Sequence, residues 1–204
     1  MFYQRSDPSR INKIIYHYEI FKKTLKIPGS IIECGVFKGS SLIRFLNFRN
    51  LIKSNLKKKL YGFDIFGSFP RQKRKQDNDF AIKHDKEIGM GISVSELNYY
   101  LKKKRMKNFR LIKGNIKKTI PLFLKNNPKL KISFLHLDLD VFEPTKFALE
   151  KFYKKISKGG VLLIDDYGQV RGATKATDYF LKKIRNIKIQ TLSFNKRLKY
   201  IVKK

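Results

Sequence analysis

Short apolar runs alternate with segments of helical periodicity along most of this 204-residue chain, and this alternation is the feature that most constrains its fold. Strand–helix alternation is typical of a parallel sheet whose right-handed crossovers place helices on both faces. The length corresponds to one domain, and no linker or internal repeat divides the sequence. The sequence therefore predicts a single α/β domain over residues 1–204.

The predicted elements begin with an N-terminal helical segment, residues 1–28, which Ser6 or Asp7 caps and which Pro28 and Gly29 end. The apolar runs predict a seven-stranded sheet with strands at 30–36, 60–65, 109–113, 131–138, 161–165, 187–194 and 198–202. Helices are predicted at 40–54, 94–105, 117–126, 145–156 and 174–184. Too few residues separate the last two strands for a crossover, so we expect an antiparallel hairpin that turns at Asn195 and Lys196.

One long segment, residues 67–92, has no clear hydrophobic period. A connection of this length without secondary structure is usually functional or mobile. The segment contains His84 and several acidic residues, which are otherwise scarce in this chain. We expect it to act as a mobile lid over the site.

The charge balance is strongly basic, with 47 Lys and Arg residues against 16 Asp and Glu residues and a formal net charge of +31. Such a surface attracts anions, which include nucleic acid, a membrane surface and anionic small substrates. The basic residues are dispersed in short groups and form no single dense tail, a pattern that argues against nucleic acid as the partner.

Several classes of protein are excluded or disfavoured by simple counts. Cys34 is the only cysteine, so an intramolecular disulfide framework and an all-cysteine metal site are excluded. No apolar run reaches the roughly 18 residues that a transmembrane helix needs. Residues 1–10 lack the apolar core of a signal peptide, so we expect a cytoplasmic protein.

The predicted strand ends carry candidate ligand-binding residues, because ligands of open α/β sheets bind beyond the carboxyl ends of the strands. After the first strand, two glycines and Ser40 precede a helix N-terminus, and Glu33 could hold a cation or a ligand amine. Asp64 ends the second strand, where a carboxylate commonly accepts hydrogen bonds from ribose hydroxyls, although a turn or helix-cap role is the alternative. Asn115 follows the third strand, where its amide could contact an adenine edge.

Four aspartates, Asp138, Asp140, Asp165 and Asp166, end two apolar strands and form the strongest constellation in the sequence. Like charges about 4 Å apart repel by roughly 4 kcal/mol at an effective dielectric near 20, so converging carboxylates need a cation, a proton or a cationic ligand. An all-oxygen site suits a hard divalent ion, Mg²⁺ first, with Ca²⁺ or Mn²⁺ as alternatives. The competing interpretation is that these acids cap helices or pair with surface lysines. We expect His136 to be a packed core residue.

Five motifs, in this order, resemble those of the macrocin O-methyltransferase family, which comprises class I S-adenosylmethionine (SAM)-dependent sugar O-methyltransferases. Among its members the chain is most similar to sequences described as dTDP-6-deoxyhexose 3-O-methyltransferases. The motifs are IECGVFKG at 32–39, GFDIFGSFP at 62–70, KGN at 113–115 with TIP at 119–121, LDLDVFEPT at 137–145, and GG at 159–160 with IDDYG at 164–168. The resemblance implies a Rossmann-like fold.

The resemblance also implies roles for individual residues. It places Glu33, Gly35, Gly39 and Ser40 at the methionine end of SAM, and Asp64 at the ribose. Metal ligation is implied for Asp138, Asp165 and Asp166. The base that accepts the proton is implied to be Asp140, with His84 of the 67–92 segment as its rival.

Together these features predict a SAM- and Mg²⁺-dependent O-methyltransferase that acts on a sugar hydroxyl. The expected partner is a small sugar or a nucleotide-linked sugar, and self-association into a homo-oligomer is left open. The alternatives are an RNA- or DNA-modifying methyltransferase, which the charge favours, and a non-catalytic module that binds nucleotides or glycans.

Overall fold

A computed structural model describes residue 4 and residues 6–52, 57–184 and 187–204. Seven strands form one sheet in the order β3-β2-β1-β4-β5-β7-β6. The first five strands in this order, β3, β2, β1, β4 and β5, are parallel to one another. Strand β7 runs antiparallel to both β5 and β6. The strands are β1 Ser30–Cys34, β2 Leu60–Asp64, β3 Phe109–Lys113, β4 Ile132–Leu137, β5 Ile156–Ile164, β6 Gln190–Leu192 and β7 Asn195–Val202. The predicted fold class, a mostly parallel sheet with a C-terminal antiparallel hairpin, is confirmed.

Helices precede β1, lie in the crossovers between the parallel strands, and follow β5. Asp7 caps the first of them, accepting a hydrogen bond from the Ser9 amide at 2.8 Å, and Pro8 occupies its first position. The helices are α1 Pro8–Lys22, α2 Ser40–Leu51, α3 Lys75–Glu87, α4 Val94–Lys103, α5 Ile116–Asn126, α6 Phe142–Phe152 and α7 Arg171–Leu181. A short 3₁₀ helix, Tyr153–Lys155, follows α6.

Two apolar clusters cover the two faces of the sheet. On one face α1, α2 and α4 pack through residues such as Phe21, Phe45 and Leu97, all fully buried. On the other face α5, α6 and α7 pack through residues such as Phe123 and Phe152. Because both faces are covered, the central strands are apolar along their length, as parallel strands usually are.

The register of the central strands brings their carboxyl ends to one edge. Cys34 of β1 pairs with Leu137 of β4, and Leu137 pairs with Ile164 of β5. The residues that follow each strand, including Asp138 and Asp165, therefore emerge side by side. This register positions the candidate site.

The 67–92 segment is more ordered than the sequence predicted, because it contains α3. Only Asp77 and Ala81 of this helix are buried, so most of its positions are polar and no apolar period reveals it. The expectation of a stretch without secondary structure was wrong.

The ends of several other elements also differ from the prediction. The helix predicted at 145–156 is α6 with its 3₁₀ extension, and β5 begins at Ile156, whereas its start was predicted at residue 161. Gly159 and Gly160 were expected to precede this strand, but they lie inside β5, where the register against β4 shifts. The final hairpin turns at Ser193 and Phe194, two residues before the predicted turn.

The predicted helix at 40–54 ends at Leu51, and its residues 53 and 54 lie outside the described residues. None of the helices in the described part of the chain has the length and apolar character that crossing a membrane requires.

Candidate active site

A cavity of about 570 Å³ opens at the carboxyl ends of β1, β2, β3 and β4. This volume lies within the range of small-molecule and cofactor sites. Seven of the residues predicted to form the site line the cavity: Gly35, Asp64, His84, Asn115, Asp138, Asp140 and Asp165. Glu33, Gly39, Ser40 and Asp166 are not among the residues that line it.

Gly35 lets the backbone after β1 approach the backbone after β4. Its φ is +88°, in the left-handed region that favours glycine, and an added Cβ would lie 1.7 Å from the carbonyl oxygen of Asp138. Gly39, with a φ of +81°, begins α2, and Ser40 is exposed beside it. The glycines thus shape the turn, and of the two only Gly35 borders the cavity.

Asp64 binds backbone amides of the two loops that flank it. Its Oδ2 accepts hydrogen bonds from the amides of Val36 at 2.6 Å and Phe37 at 2.9 Å, and its Oδ1 accepts one from Phe66 at 2.7 Å. Phe37 and Phe66 both have positive φ, so the carboxylate stabilises two turns of uncommon geometry. A carboxylate accepts about four hydrogen bonds, so Asp64 retains capacity for about one more.

Asn115 caps α5, with its Oδ1 accepting a hydrogen bond from the Lys117 amide at 2.9 Å. This bond occupies the acceptor side of the amide. The nitrogen of the side chain is left as a donor at the cavity wall.

Asp138, Asp140 and Asp166 form the acid cluster: one carboxylate oxygen of each lies within 4.8 Å of the corresponding oxygens of the other two. Asp138 and Asp140 are half-buried and Asp166 is buried. Asp140 has a φ of +59°, and its amide donates a hydrogen bond to Asp166 Oδ2 at 3.1 Å. This tight backbone turn after β4 brings the three carboxylates together.

The acid cluster is electrostatically unfavourable without positive charge. Burial raises the pKa of Asp138 well above its usual range, and the negative charges of Asp165 and Asp166 raise it further. Burial, and after it the negative charge of Asp138, raises the pKa of Asp140 to about 8. Burial, and after it the negative charge of Asp140, raises the pKa of Asp166. Such carboxylates take up protons or a cation. Three close oxygen donors of this kind fit a hard dication such as Mg²⁺ or Ca²⁺.

Asp165, which the resemblance implies is a metal ligand, contacts residues outside the acid cluster. Its Oδ2 lies 2.5 Å from the Nζ of Lys13 on α1. Its Oδ1 lies 3.6 Å from His17 Nε2 and 3.8 Å from His136 Nε2. Burial alone would raise the pKa of Asp165, but His136, His17 and the charge of Lys13 hold it well below its usual range. These contacts favour the charged form of the Asp165 carboxylate.

Glu33 belongs to a buried polar group behind the cavity wall. Its Oε1 pairs with His136 Nδ1 at 3.0 Å, and both side chains are fully buried. His136 is buried as predicted, but it contacts two carboxylates, and these, Asp165 and Glu33, raise its pKa to about 10 although burial opposes this. His17 is also fully buried, and burial lowers its pKa to about 3.

His84 lines the cavity from α3. Its ring contacts the rings of Phe37, Phe69 and Phe80, with centroids 5.1, 5.5 and 6.0 Å away. Its Nδ1 is buried without a hydrogen-bond partner among the described residues. Asp85 beside it accepts the Phe69 amide at 2.9 Å, which holds the start of the 67–92 segment against α3.

The sequence did not single out Lys13 and His17. They are four residues apart on α1, so they share one face of that helix. Lys13 cannot be distinguished by sequence from the many other lysines of this chain. Only the packing of α1 against the sheet shows that both residues reach Asp165.

Comparison with known proteins identifies the relatives of this chain. It is 25% identical over 145 residues to 8-demethyl-8-(2,3-dimethoxy-alpha-L-rhamnosyl)-tetracenomycin-C 4'-O-methyltransferase of Streptomyces olivaceus, a match that covers 69% of this chain and 54% of that protein. It is 25% identical over 167 residues to demethyldecarbamoylnovobiocin O-methyltransferase of Streptomyces niveus, with 77% and 60% covered. The chain thus spans little more than half the length of these curated relatives.

A solved structure shares the fold. The crystal structure of CalS11, a calicheamicin methyltransferase, superposes with a TM-score of 0.78 at 22% sequence identity, covering 96% of this chain and 80% of that one. The family model of the macrocin O-methyltransferases (TylF) matches residues 10–196, which include β1 to β6 and the first two residues of β7. The resemblance inferred from the five motifs is confirmed, and this chain belongs to the macrocin O-methyltransferase family.

Proposed function

We propose that this chain catalyses transfer of a methyl group from SAM to a hydroxyl group of a sugar, with the help of a hard dication, Mg²⁺ first. The observation that carries the proposal is the cavity, which joins the glycine turn after β1 to the carboxylates after β4. Family membership supports the reaction type. The name of the Streptomyces olivaceus relative specifies a rhamnosyl 4'-hydroxyl, which supports a sugar as the acceptor.

The cofactor end of the cavity lies at Gly35, Asp64 and Asn115 in this proposal. Gly35 allows close approach to the backbone, Asp64 has capacity for about one hydrogen bond from a ribose hydroxyl, and Asn115 offers an amide donor to the adenine edge. SAM supplies an electrophilic methyl group at this end. Glu33, Gly39 and Ser40 lie behind the cavity wall or beside it, so they act on this end through the backbone turn.

Asp138, Asp165 and Asp166 would hold the dication, as the family resemblance implies. Their carboxylates offer the hard oxygen ligands that Mg²⁺ prefers, and Asp138 and Asp166 lie close together and need positive charge. When bound, such an ion supplies Lewis acidity, which lowers the pKa of a neighbouring hydroxyl group. The residues of the chain then need only to orient the acceptor and remove its proton.

Asp140 is the first candidate to accept that proton, and His84 is the second. Asp140 lies in the acid cluster and lines the cavity, so it can reach a hydroxyl held there. His84 also lines the cavity, and its Nδ1, which has no hydrogen-bond partner among the described residues, could accept a proton. The 67–92 segment, which carries His84, would close over the acceptor and exclude water. Arg71 and Lys73 at its start would attract an anionic nucleotide sugar.

The proposal is tested by mass spectrometry with isotopically labelled SAM and a panel of nucleotide-linked and free sugars. We expect one methyl group to be transferred to a sugar, with activity lost on chelation by EDTA and restored by Mg²⁺. Asp138→Asn should abolish transfer while SAM still binds, and Asp79→Asn, on the exposed side of α3, should retain it. Full activity of the chelated enzyme would remove the dication from the mechanism.

The net charge of +31 favours a second candidate, an RNA-modifying methyltransferase. The same experiment should therefore include RNA as an acceptor. Transfer of the label to RNA, with salt-sensitive retention on heparin, would reverse the order of the two candidates. Binding of SAM without transfer to any hydroxylated acceptor would instead indicate a non-catalytic module.

A further inference from the structure

The edge of the sheet opposite the cavity gathers positive charge that is dispersed along the sequence. Strands β1 to β5 are parallel, so the helices between them return the chain to this amino edge before each strand begins. Strand β7 is antiparallel to β5 and ends at the same edge. Six segments lie there, which we call the basic face: KKTLKIPG at 22–29, KKK at 57–59, KKKRMKN at 102–108, KNNPKLK at 125–131, KFYKKISK at 151–158 and KK at 203–204. Together they contain 20 Lys or Arg residues and no Asp or Glu.

Three lysines join segments of the basic face to one another. Lys58 Nζ donates a hydrogen bond to the Thr24 carbonyl at 2.7 Å, which connects the second segment to the first. Lys155 Nζ donates to a carbonyl of the fourth segment at 3.1 Å, and Lys203 Nζ donates to a carbonyl of the fifth at 2.8 Å. These three lysines are half-buried, whereas the other 17 cations of the basic face are exposed.

Arg49 and Ser157 complete the connections. Arg49 of α2 is buried, and its guanidinium donates to the carbonyls of Lys58 at 3.0 Å and Lys107 at 2.5 Å, which joins the second and third segments. Ser157 Oγ donates to the Pro28 carbonyl at 2.8 Å, which joins the fifth segment to the first. Hydrogen bonds thus connect all six segments into one continuous surface.

The charge of the basic face is almost uncompensated. Of its 20 cations only Lys22 pairs with a carboxylate in the described part of the chain, at 2.9 Å from Glu19. Helix C-termini favour nearby cations, but this effect does not account for the absence of acids from all six segments. The acid cluster lies at the other edge, and the five residues of β1 span about 17 Å, roughly twice the Debye length of about 8 Å at physiological ionic strength.

The composition of the basic face favours a lipid surface over nucleic acid as its partner. Its only aromatic residues, Phe152 and Tyr153, are buried, so none is available to stack on bases. All its cations except Arg105 are lysines, which act as point charges and lack the planar fork that reads phosphates and bases in pairs. Leu51, the last residue of α2, is 76% exposed at this edge, and lipid headgroups can bury such a side chain.

We propose that the basic face docks this protein on an anionic phospholipid membrane, with the cavity turned toward the aqueous phase. The proposal does not depend on methyl transfer. It adds that small molecules enter the cavity from solution, because the cavity opens at the opposite edge of the sheet. RNA held on the basic face would likewise lie away from the cavity.

Co-sedimentation with vesicles tests the docking. We expect the protein to bind vesicles of equal parts phosphatidylcholine and phosphatidylglycerol at about 0.1 M sodium chloride, to be released at about 1 M, and not to bind phosphatidylcholine alone. The face variant Lys26→Gln/Lys104→Gln/Lys129→Gln removes one exposed charge from each of three segments. Each lysine near an anionic membrane contributes about fivefold to binding, so we expect this variant to lose about tenfold or more.

The control variant Lys118→Gln/Lys175→Gln/Lys196→Gln removes the same charge from exposed positions near the carboxyl edge. It should bind within about threefold of the wild type, since these positions lie more than a Debye length from the docked edge. Equal losses in the two triple variants, or no binding to the anionic vesicles, would refute the proposal. Single-stranded and duplex RNA are tested in parallel. RNA binding that only the face variant loses, in a protein that does not bind vesicles, would identify nucleic acid as the partner.

The orientation has its own test, because Cys34 is fully buried and a single introduced cysteine can be labelled selectively. A fluorophore is attached at Lys129→Cys on the basic face or at Lys175→Cys on α7, and the vesicles carry a quencher on their headgroups. We expect strong quenching at position 129 and little at position 175. Equal quenching at both positions would show that the basic face does not orient the protein. None of these measurements needs turnover, so failure of the proposed function leaves them interpretable.

Discussion

At the scale of single residues, Gly35 sets the distance between the two halves of the site. Its φ of +88° and the proximity of Asp138 leave no space for a side chain, since an added Cβ would lie 1.7 Å from a backbone oxygen. A backbone atom cannot move aside as the end of a side chain can. Gly35 therefore couples the turn that borders the proposed cofactor end to the turn that carries the acid cluster.

We expect Gly35→Ala to lower the free energy of unfolding by about 3 kcal/mol or more, because overpacking adds to the strain of a positive φ. Gly89→Ala is the matched control: its φ is +87°, but nothing lies within 4 Å of an added Cβ, so only the strain of about 1 kcal/mol remains. Urea denaturation of both variants measures the difference. Equal losses would show that the backbone after β4 yields to the added methyl group.

At the scale of elements, a buried carboxylate connects α3 to the N-terminus of α6. Asp77 is 6% exposed, and its Oδ2 accepts the Phe142 amide at 3.1 Å, at the N-terminus of α6. Gly172 of α7 leaves room for it, since a Cβ there would lie 2.5 Å from Asp77 Oδ1. Negative charge at a helix N-terminus is favourable, so Asp77 fixes the helix that carries His84.

Asp77→Ala should loosen α3, because the Phe142 amide loses its partner at a cost of about 1–3 kcal/mol. Hydrogen–deuterium exchange of residues 75–87 measures the effect, and we expect amide exchange to become about tenfold faster or more, which corresponds to about 1.4 kcal/mol. Asp79→Ala, two residues away and exposed, should leave exchange unchanged. Identical protection in the two variants would contradict the anchoring role of Asp77.

The same elements explain where sequence patterns failed. The apolar periods of α1, α2 and α5 predicted these helices, because each buries an apolar face against the sheet. No such period marks α3, which buries only Asp77 and Ala81. In β5 the glycines at 159 and 160 are typical of a turn, yet both form backbone hydrogen bonds with Lys203, directly after β7, and lie within the strand.

At the scale of the whole molecule, the dominant feature is the net charge of +31. Most ion pairs away from the site lie on the exposed surface, as Lys22 with Glu19 and Lys83 with Glu87 do, and exposed pairs add little stability. Uncompensated positive charge repels itself in the compact state. We therefore expect the surface charge to lower the free energy of unfolding.

Screening should therefore stabilise this protein. Raising the ionic strength from about 0.01 M to about 0.1 M shortens the Debye length from about 30 Å to about 10 Å, so repulsion across the surface weakens. We expect Tm, followed by circular dichroism, to rise along this sodium chloride series. A sucrose series of equal osmolarity is the control, because it favours burial without screening. A Tm that falls with salt would mean that attractive pairs outweigh the repulsion.

The sequence by itself determined the α/β class, the single parallel sheet with its terminal hairpin, and the strand ends at which Asp138, Asp140, Asp165 and Asp166 lie. These follow from local patterns, since apolar periodicity and chain length are properties of neighbouring residues. Only the tertiary structure decided how the four aspartates are divided, because the partners of Asp165 come from α1 and β4, far away in sequence. A lysine and a histidine acquire this meaning from the groups that packing places against them, and local sequence does not encode those distances.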